Sequence, residues 1–428
     1  MKINLITIGC PKNLVDSEVL LGGLKGEGIE IIENPLEADT IILNTCGFIQ
    51  QAKEESIEAI IQALELKKQG NCQKVFVTGC LSQRYYQEMR KEIPEVDGFF
   101  GNRDLAKILK KLTRQLDLKG DILGERMLTT PSHYAYLKIS EGCENPCTFC
   151  SIPGIRGKFR SRSIESLVDE AQMLVSKGVK ELIVVAQDTT MFGQDLYGKK
   201  QLVPLLKRLS QIKEIKWIRL LYTYPAHFSD DLIEIISDKH NICNYIDLPI
   251  QHISDKLLKK MARKVNRRDI ELIIEKLRSK IPEIAIRTSL ITGFPGETEQ
   301  NFQELVEFIK DVRFERLGLF TYSREEYTPA YHFPNQIPDH IKQERWAELN
   351  DIQNQISSEI NHSLIGSIQE VVIDEFNADL GTYVGRTSWD CPEIDNSVFI
   401  DEKVDLGKFY WVKITNCSDY DLRGKLIQ

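Results

Sequence analysis

Three cysteines that directly follow a strand-like run constrain the fold of this chain more than any other feature. Cys143, Cys147 and Cys150 have the spacing Cys-x3-Cys-x2-Cys, and the run at 134–140 precedes them. Three thiolates this close can hold one iron–sulfur cluster, which usually takes four ligands, so one iron stays open. Zinc instead takes a set of cysteines and histidines that closes a tetrahedron, and His133 stands alone nearby. The spacing therefore predicts a cluster on a loop after a strand.

A second set of three cysteines shares a structural context rather than a local spacing. Cys10, Cys46 and Cys80 each end a strand-like run, in LITIGC, IILNTC and VFVTGC. Open α/β sheets bind ligands outside the carboxyl ends of their strands, so these cysteines could converge on one site. A glycine beside each cysteine would let the backbone approach a cluster closely. The alternative is that all three are buried as small apolar side chains, as free cysteines commonly are.

Strand-like and helix-like segments alternate along most of the chain, which predicts parallel sheets with helical crossovers. A first domain is predicted over 1–122, and a turn-rich stretch at 123–133 separates it from a second domain over 130–362. Strands of the first domain are predicted at 2–9, 38–45 and 74–79. Strands of the second are predicted at 135–140, 181–187, 217–222, 245–249, 285–292 and 315–321. Six such units are too few for a complete eight-stranded barrel.

The end of the chain differs in character from the rest. A long amphipathic helix is predicted over 339–362, with Asp339 as its cap and Gly366 after its end. Short alternating runs, divided by Gly, Asp and Asn, follow over 363–428. This pattern predicts a third domain, a small β-barrel.

Composition excludes several classes of protein. Of 428 residues, 42 % are hydrophobic and 28 % are charged, which is typical of soluble globular proteins. No apolar stretch approaches membrane-spanning length and no signal peptide is apparent, so we expect a cytoplasmic location and no membrane partner. Ten cysteines in that compartment favour metal or redox chemistry over disulfides. A net charge of −8 is unfavourable for a protein that binds phosphate backbones.

Two cysteine triplets followed by a small β tail resemble the methylthiotransferase family of radical S-adenosylmethionine (SAM) enzymes along nearly the whole chain. The resemblance implies a flavodoxin-like N-terminal domain, a partial (βα)6 barrel and a C-terminal TRAM domain. GCPKNLVDSE at 9–18 resembles the branch that modifies an aspartate of small-subunit ribosomal protein S-twelve, as do YLKISEGC, AQDTT, DLPIQH, TGFPGET and GRTSWDCPEID. Members that act on transfer RNA usually show Gly-Cys-Gln-x-Asn at the first cysteine.

The resemblance also implies cofactors and chemistry. Each triplet would hold one 4Fe–4S cluster, and SAM would bind the open iron of the cluster at Cys143, Cys147 and Cys150. An electron from a donor such as flavodoxin or ferredoxin would cleave SAM to a 5′-deoxyadenosyl radical, which takes hydrogen from the β-carbon of the aspartate. The other cluster would supply sulfur, and a second SAM would supply the methyl group.

Candidate contacts with SAM and substrate follow from position. Side chains and glycines at strand ends of the barrel are expected to face SAM; these are Gln187, Asp188, Gln251, Gly293, Gly296 and Glu297. Helix capping and loop turns are the alternative role for these residues, and His252 is expected to be a structural hydrogen-bonding group. The basic run after the second cluster offers cations for a substrate carboxylate, which arginine binds bidentately; the candidates are Arg156, Arg160 and Arg162.

The charge of the tail bears on the choice of partner. Residues 366–428 contain twelve acidic and six basic side chains, which favours a basic ribosomal protein as the partner and gives nucleic acid only a secondary role. Reversal of acidic charges there is expected to weaken protein binding; the positions are Asp374, Glu375, Glu393 and Asp395. A transfer-RNA methylthiotransferase, a non-catalytic metal-stabilised RNA-binding scaffold and a radical SAM enzyme whose first cysteines are structural remain alternatives.

Overall fold

The computed structural model describes residues 1–113 and 126–427 and contains two large parallel sheets, a closed β-barrel and a two-stranded ribbon. The predicted end of the first domain at residue 122 lies outside the described residues, and the other domain limits stay predictions. Among the described helices, none is long and apolar enough to cross a membrane.

The first sheet is a five-stranded parallel sheet. Its strands are β1 (Lys2–Thr7), β2 (Glu30–Ile31), β3 (Thr40–Thr45), β4 (Lys74–Gly79) and β5 (Gly98–Phe99). They lie in the order β2-β1-β3-β4-β5, which is the flavodoxin-like order. The accompanying helices are α1 (Pro11–Gly26), α2 (Gln50–Lys68), α3 (Cys80–Arg84), α4 (Tyr86–Glu92) and α5 (Leu105–Thr113). The flavodoxin-like fold is therefore confirmed, although the pattern did not predict the two-residue strands β2 and β5.

The second sheet is an open parallel sheet of the six predicted strands. These are β6 (Tyr134–Lys138), β9 (Glu181–Val185), β10 (Trp217–Leu220), β11 (Ile242–Asp247), β12 (Ala285–Thr292) and β13 (Arg316–Thr321), adjacent in that order. The ribbon between the first two consists of β7 (Ser140–Glu141) and β8 (Arg160–Ser161). Along β6, Ala135 and Leu137 join the apolar cluster of the surrounding helices, whereas Tyr134 and Tyr136 join the cluster on the opposite, interior face.

Helices cover the outer face of this sheet. They are α7 (Ile164–Ser176), α9 (Leu202–Leu209), α10 (Asp230–Asp238), α11 (Asp255–Lys260), α12 (Arg267–Lys280) and α13 (Glu299–Val312). Two short helices, α6 (Ile152–Arg156) and α8 (Gln194–Tyr197), lie in the connections between strands. A long helix, α14 (Asp339–Ser363), packs on the edge strand β13. Trp346 Nε1 donates to the carbonyl of Leu319 at 3.1 Å and fixes this contact. Pro338, not Asp339, is the N-cap of α14, so the predicted cap was one residue too late.

Helix α1 of the first domain packs beside β6, at one edge of the open sheet. Arg126 is buried there; its Nε donates to Glu18 of α1 at 2.6 Å and its Nη1 donates to the carbonyl of Tyr136 at 2.6 Å. The backbone N–H of Met127 also donates to the carbonyl of Glu18 at 3.1 Å. Val15 of α1 belongs to the same apolar cluster as Tyr136. The first domain therefore supplies one wall of the barrel interior.

The tail forms a closed barrel of five strands, as predicted for a TRAM domain. The strands are β14 (Ile368–Asn377), β15 (Thr382–Thr387), β16 (Val398–Ile400), β17 (Phe409–Cys417) and β18 (Leu422–Leu426). The last strand was not predicted, because Arg423, Gly424 and Lys425 interrupt its apolar pattern. The core of this five-stranded barrel contains Val371, Val412 and other buried aliphatic residues.

The end of β15 and the segment after it contact the interior of the second sheet and tie the tail to it. Arg386 Nη2 lies 2.7 Å from a carboxylate oxygen of Glu181, and both side chains are buried. Asp390 pairs with the buried Arg316 at 2.5 Å. Asp395 accepts from the hydroxyl of Tyr245 at 2.7 Å. The small barrel is thus docked on the second domain through ion pairs that are removed from water.

Part of the acidic charge of the tail is used in this contact. Asp374 pairs with Arg386 at 2.7 Å and with His133 at 2.7 Å, and although burial raises the pKa of Asp374, Arg386 and His133 lower it more. Glu375 and Glu393 are exposed, whereas Asp395 is engaged as described. Reversal of Asp374 or Asp395 would therefore also break internal contacts of the tail, and the predicted effect of charge reversal on protein binding stays a prediction.

Candidate active site between two cysteine triplets

The first triplet (Cys10, Cys46 and Cys80) lies at the carboxyl edge of the first sheet. Cys10 is the N-cap of α1 after β1, Cys46 follows β3, and Cys80 begins α3 after β4. The order of the strands reverses between β1 and β3, and doubly wound sheets bind ligands at this switch point. The structure brings the three cysteines to one edge, as their shared position after strands predicts.

Two glycines allow the chain to pass closely around the first triplet. Gly9 has a φ of +98°, and a Cβ there would stand 2.6 Å from Cys46 Cβ. Gly79 has a φ of +100°, and a Cβ there would stand 2.4 Å from the carbonyl oxygen of Thr45. Any larger residue would clash at both positions, so the sequence keeps the cysteine loops in close contact.

The second triplet (Cys143, Cys147 and Cys150) lies on the loop after β7. The backbone N–H of Cys143 donates to the carbonyl of Gly157 at 3.1 Å, and that of Cys150 donates to the carbonyl of Cys147 at 3.2 Å. Arg263 Nη1 lies 3.7 Å from the sulfur of Cys147. The loop is therefore held by backbone bonds, and one thiol already faces a cation.

Burial sets the protonation of several of these thiols. It raises the pKa of Cys143 to about 11 and the pKa of Cys150 to about 12. Burial likewise raises the pKa of Cys80 to about 12, although Arg156 opposes this effect. For Cys10, burial raises the pKa, but Lys12 and Arg156 together lower it below the usual value. Because thiolates are the metal ligands, binding of a cluster would release protons from these groups.

The donor sets fit a cluster better than a single ion. Within residues 1–113 and 126–427, no three His, Cys, Asp or Glu side chains stand close enough to hold one metal ion. An iron–sulfur cluster makes a weaker demand on proximity, because each thiolate binds a different iron atom and the sulfurs stand farther apart. Three cysteines per site, two glycines in close contact and neighbouring cations are consistent with an anionic cluster at each triplet.

One turn of the chain, at Arg156 and Gly157, contacts both triplets. Arg156 is buried at the end of α6, and its Nε lies 3.2 Å from the sulfur of Cys80. Its Nη1 pairs with Asp16 at 2.7 Å and with Glu141 at 3.0 Å. The next residue, Gly157, accepts the bond from Cys143. A single turn of chain therefore contacts a cysteine of each triplet.

The other two candidate arginines differ from Arg156 in their surroundings. Arg162 pairs with Glu170 at 2.5 Å and donates to the carbonyl of Lys138 at 3.2 Å. Arg160 is exposed on β8. Internal carboxylates therefore engage Arg156 and Arg162, and Arg160 alone of the three has no ion pair with a described residue.

Internal partners also engage the two predicted SAM contacts that follow β9, Gln187 and Asp188. Asp188 is buried and accepts from Asn145 at 2.8 Å and from Thr190 N–H at 3.0 Å, and it contacts His227 Nδ1 at 2.9 Å. Gln187 donates to Glu141 at 2.7 Å. Asn145 belongs to the loop of the second triplet, so Asp188 holds that loop against the sheet.

The remaining candidates lie after β11 and β12. Gln251 has a φ of +73° and bridges to Leu290 of β12. Gly293 has a φ of +72° and donates to Glu297 at 2.8 Å, while Gly296 donates to the carbonyl of Asn335 at 2.8 Å. Backbone bonds of this kind fix the turn at the carboxyl edge of the sheet, where the resemblance places SAM.

Glu297 and His252 are both buried beside this turn and lie next to each other. Burial raises the pKa of Glu297 to about 7 against the opposing effect of Arg345, which lies 2.8 Å away. Burial lowers the pKa of His252 to about 3, and its Nδ1 accepts backbone N–H groups of Ile253 and Ser254. His252 is therefore a neutral hydrogen-bonding group, as the sequence analysis expects.

The contacts that join the two domains around this site were not predicted from the sequence. Glu325 pairs with Lys53 at 3.0 Å and with Arg84 at 2.8 Å, and Arg84 also donates to the carbonyl of Gly47 beside Cys46. On α1, the polar side chains of the GCPKNLVDSE motif are buried against the second domain; they are Lys12, Asn13, Asp16 and Glu18. The signal available in the sequence was that polar residues fall on all sides of this helical segment, so that some of them had to be buried.

Comparison with protein families matches all three parts of the chain. Residues 2–101 match the family described as uncharacterized protein family UPF0004. Residues 137–309 match the radical SAM superfamily, and residues 365–427 match the TRAM domain.

Curated relatives match over the full length. The ribosomal protein uS12 methylthiotransferase RimO of Desulforamulus reducens is 48 % identical over 441 residues, which cover 100 % of this chain and 99 % of the relative. The protein of the same name in Clostridioides difficile is 48 % identical over 440 residues, with the same coverage. That of Christiangramia forsetii is 47 % identical over 427 residues, which cover 99 % of this chain and 94 % of the relative.

Solved structures share the fold at low identity. The radical SAM methyltransferase TsrM of Kitasatospora setae, with tryptophan and a SAM analogue bound, gives a TM-score of 0.56 at 14 % identity and covers 86 % of this chain and 78 % of its own. The cobalamin-dependent SAM radical enzyme OxsB gives a TM-score of 0.52 at 14 % identity, with 83 % and 56 % covered. These likenesses concern the fold alone.

Proposed function

Since the chain belongs to the RimO family of ribosomal protein uS12 methylthiotransferases, we propose that it adds a methylthio group to the β-carbon of an aspartate in uS12. It is a radical SAM enzyme that uses SAM and a 4Fe–4S cluster. When bound and reduced, that cluster supplies the electron that cleaves SAM and so generates a radical able to take hydrogen from an unactivated carbon.

The observation that carries the proposal is the turn that contacts both triplets. Arg156 touches Cys80, and the adjacent Gly157 accepts from Cys143. A reaction that joins sulfur to a carbon radical needs the radical site and the sulfur source near each other, because the two reacting atoms must meet. Two cysteine triplets on facing sheet edges, joined by one turn, support this arrangement.

We propose that the first triplet holds a second 4Fe–4S cluster, from which sulfur is transferred. Its support is the shared position of Cys10, Cys46 and Cys80 at a ligand-binding sheet edge, with cations on both sides. Lys12 lowers the pKa of Cys10, and Arg156 donates to Cys80. Arg156 would offset part of the negative charge of a cluster that three thiolates hold.

Roles for the second domain follow from its contacts. We propose that the second triplet holds the SAM-binding cluster and that SAM lies against the turns at Gln187, Gln251, Gly293 and Gly296. Asp188 and Glu297 would act by holding those turns, because their carboxylates are occupied by internal donors. Arg160 is the candidate among the three arginines for an exposed contact with substrate.

The partners and location extend the same proposal. We propose ribosomal protein uS12 as the substrate, an electron donor such as flavodoxin or ferredoxin, a cytoplasmic location, and only a secondary role for nucleic acid. Exposed acidic residues of the tail, among them Glu375 and Asp379, could attract a basic protein through long-range charge.

The experiment that tests this function compares two sets of substitutions. Replacement of Cys143, Cys147 and Cys150 by Ala should leave about half of the iron and abolish SAM cleavage. Replacement of the first triplet by Ala should preserve reductive cleavage to 5′-deoxyadenosine and stop methylthiolation of uS12. Full iron content in the first variant, or product at wild-type yield in the second, would refute the two-site assignment. Methylthiolated transfer RNA with unmodified uS12 would refute the substrate.

A further inference from the structure

A buried lysine lies between the two sheet edges without a carboxylate partner. Lys12 is 9 % exposed, and its Nζ stands 3.3 Å from the centre of the Tyr222 ring. Across residues 1–113 and 126–427, no Asp or Glu lies within ion-pair distance of this ammonium. Removal of a charge from water costs several kcal/mol, and an aromatic ring returns only about 2 kcal/mol of that. Besides the Tyr222 side chain, the ammonium faces the thiol of Cys10, whose pKa it lowers, so it has no carboxylate among its described partners and can accept one.

Neighbouring buried cations at the same domain contact are paired. Arg156 and Lys138 share Asp16 and Glu141. Arg126 likewise pairs with Glu18 and Glu170. The domain contact thus needs no further cation for its own carboxylates, and Lys12 is in excess at this contact.

Tyr222 holds the ammonium in place at the carboxyl edge of the second sheet. Tyr222 follows β10 with a φ of +56°, which is uncommon for a bulky residue. Its backbone N–H donates to Asp247 at 2.8 Å, and its carbonyl accepts from the N–H of Thr189 at 3.0 Å. Lys12 itself stands two residues after Cys10. The ammonium therefore lies where the carboxyl edges of both sheets meet.

We propose that Lys12 binds the side-chain carboxylate of the aspartate that is modified, and this inference rests on the proposed function. Lysine presents a compact charge with three donors and suits a carboxylate whose neighbouring carbon must stay accessible. Arg156 and Arg162, which the sequence offers for this role, carry internal carboxylates instead. An Asn substrate would lack the charge that Lys12 recognises.

The test combines a change in the protein with a change in the substrate. Binding of uS12 peptides that carry the target Asp, or Asn in its place, is measured by fluorescence anisotropy on wild type, Lys12→Met and Lys12→Arg, each loaded with iron and sulfide. A charged hydrogen bond predicts that Lys12→Met weakens binding of the Asp peptide by about tenfold to a hundredfold and leaves the Asn peptide unchanged. Lys12→Arg should retain a preference for Asp.

A matched control is Lys53→Met, which removes a half-buried lysine of the same domain, one that pairs with Glu325. It should keep the preference for the Asp peptide. Lys12→Met should keep the iron content of wild type, because Cys10, Cys46 and Cys80 remain as ligands of the first cluster, and electron paramagnetic resonance checks the state of the cluster. An undiminished Asp preference in Lys12→Met would overturn the role of Lys12, as would an altered cluster with the preference intact. Failure of wild type to modify uS12 would overturn the proposed function and this inference together.

Discussion

Replacement of Arg156 by Met should release helix α1 from the second domain. The guanidinium is buried and contacts Asp16 at 2.7 Å, Glu141 at 3.0 Å and the sulfur of Cys80 at 3.2 Å. Breaking a buried ion pair by removing one partner costs about 3–5 kcal/mol. Lys138 would still contact both carboxylates, so we expect the lower end, about 3 kcal/mol.

Hydrogen exchange measures this effect where it occurs. A loss of about 3 kcal/mol raises the open population by about a hundredfold, so amides of α1 (Pro11–Gly26) should exchange about a hundred times faster. The control is Arg316→Met, which removes another buried guanidinium, paired with Asp390, from β13 at the opposite edge of the sheet from β6. Exchange of α1 in Arg156→Met within a few-fold of wild type would refute the reasoning.

Three further outcomes follow from the contacts of the barrel and the tail. Arg386→Met should weaken docking of the small barrel by about 3 kcal/mol and speed proteolysis after α14, whereas the exposed Arg423→Met should cost under about 1 kcal/mol. Because burial raises the pKa of Glu297 to about 7, the folded chain keeps a proton that the unfolded chain releases above about pH 4.5. The free energy of unfolding should therefore decrease as the pH rises from about 4.5 to about 7. Denaturant titrations at several pH values should show this slope in wild type and not in Glu297→Gln. Glu375→Lys with Asp379→Lys should weaken uS12 binding and flatten its salt dependence in surface plasmon resonance; a pair of variants that binds as wild type does would contradict this.

The sequence was sufficient where local pattern and parallel-sheet geometry decide the structure. Parallel strands end at a common edge, so cysteines after β1, β3 and β4 had to meet there. Regular alternation of strands and helices also predicted all six strands of the second sheet, because each contains several apolar residues in a run of at least four. Very short strands such as β2 and β5 carry too little pattern to be recognised.

Contacts between the domains could not be predicted from the sequence. Arg156 meets Asp16, which is 140 positions away, and nothing in the local pattern of either segment specifies that pairing. The same holds for Asp374, whose charge suggested an exposed position although Arg386 and His133 enclose it. Charge counts treat every acidic residue as exposed, whereas docking of the tail removes several from water. The proposed role of Lys12 could be inferred only from the structure, which shows the groups around its ammonium.

The most direct test of the central claim is the intact mass of uS12 after incubation with the anaerobically reconstituted chain, SAM and a reductant. We expect uS12 to gain the mass of one methylthio group less the hydrogen that it replaces, at an aspartate that fragmentation locates, and we expect 5′-deoxyadenosine to form in the same reaction. Unchanged uS12, with 5′-deoxyadenosine still formed, would contradict the claim that this chain acts on uS12.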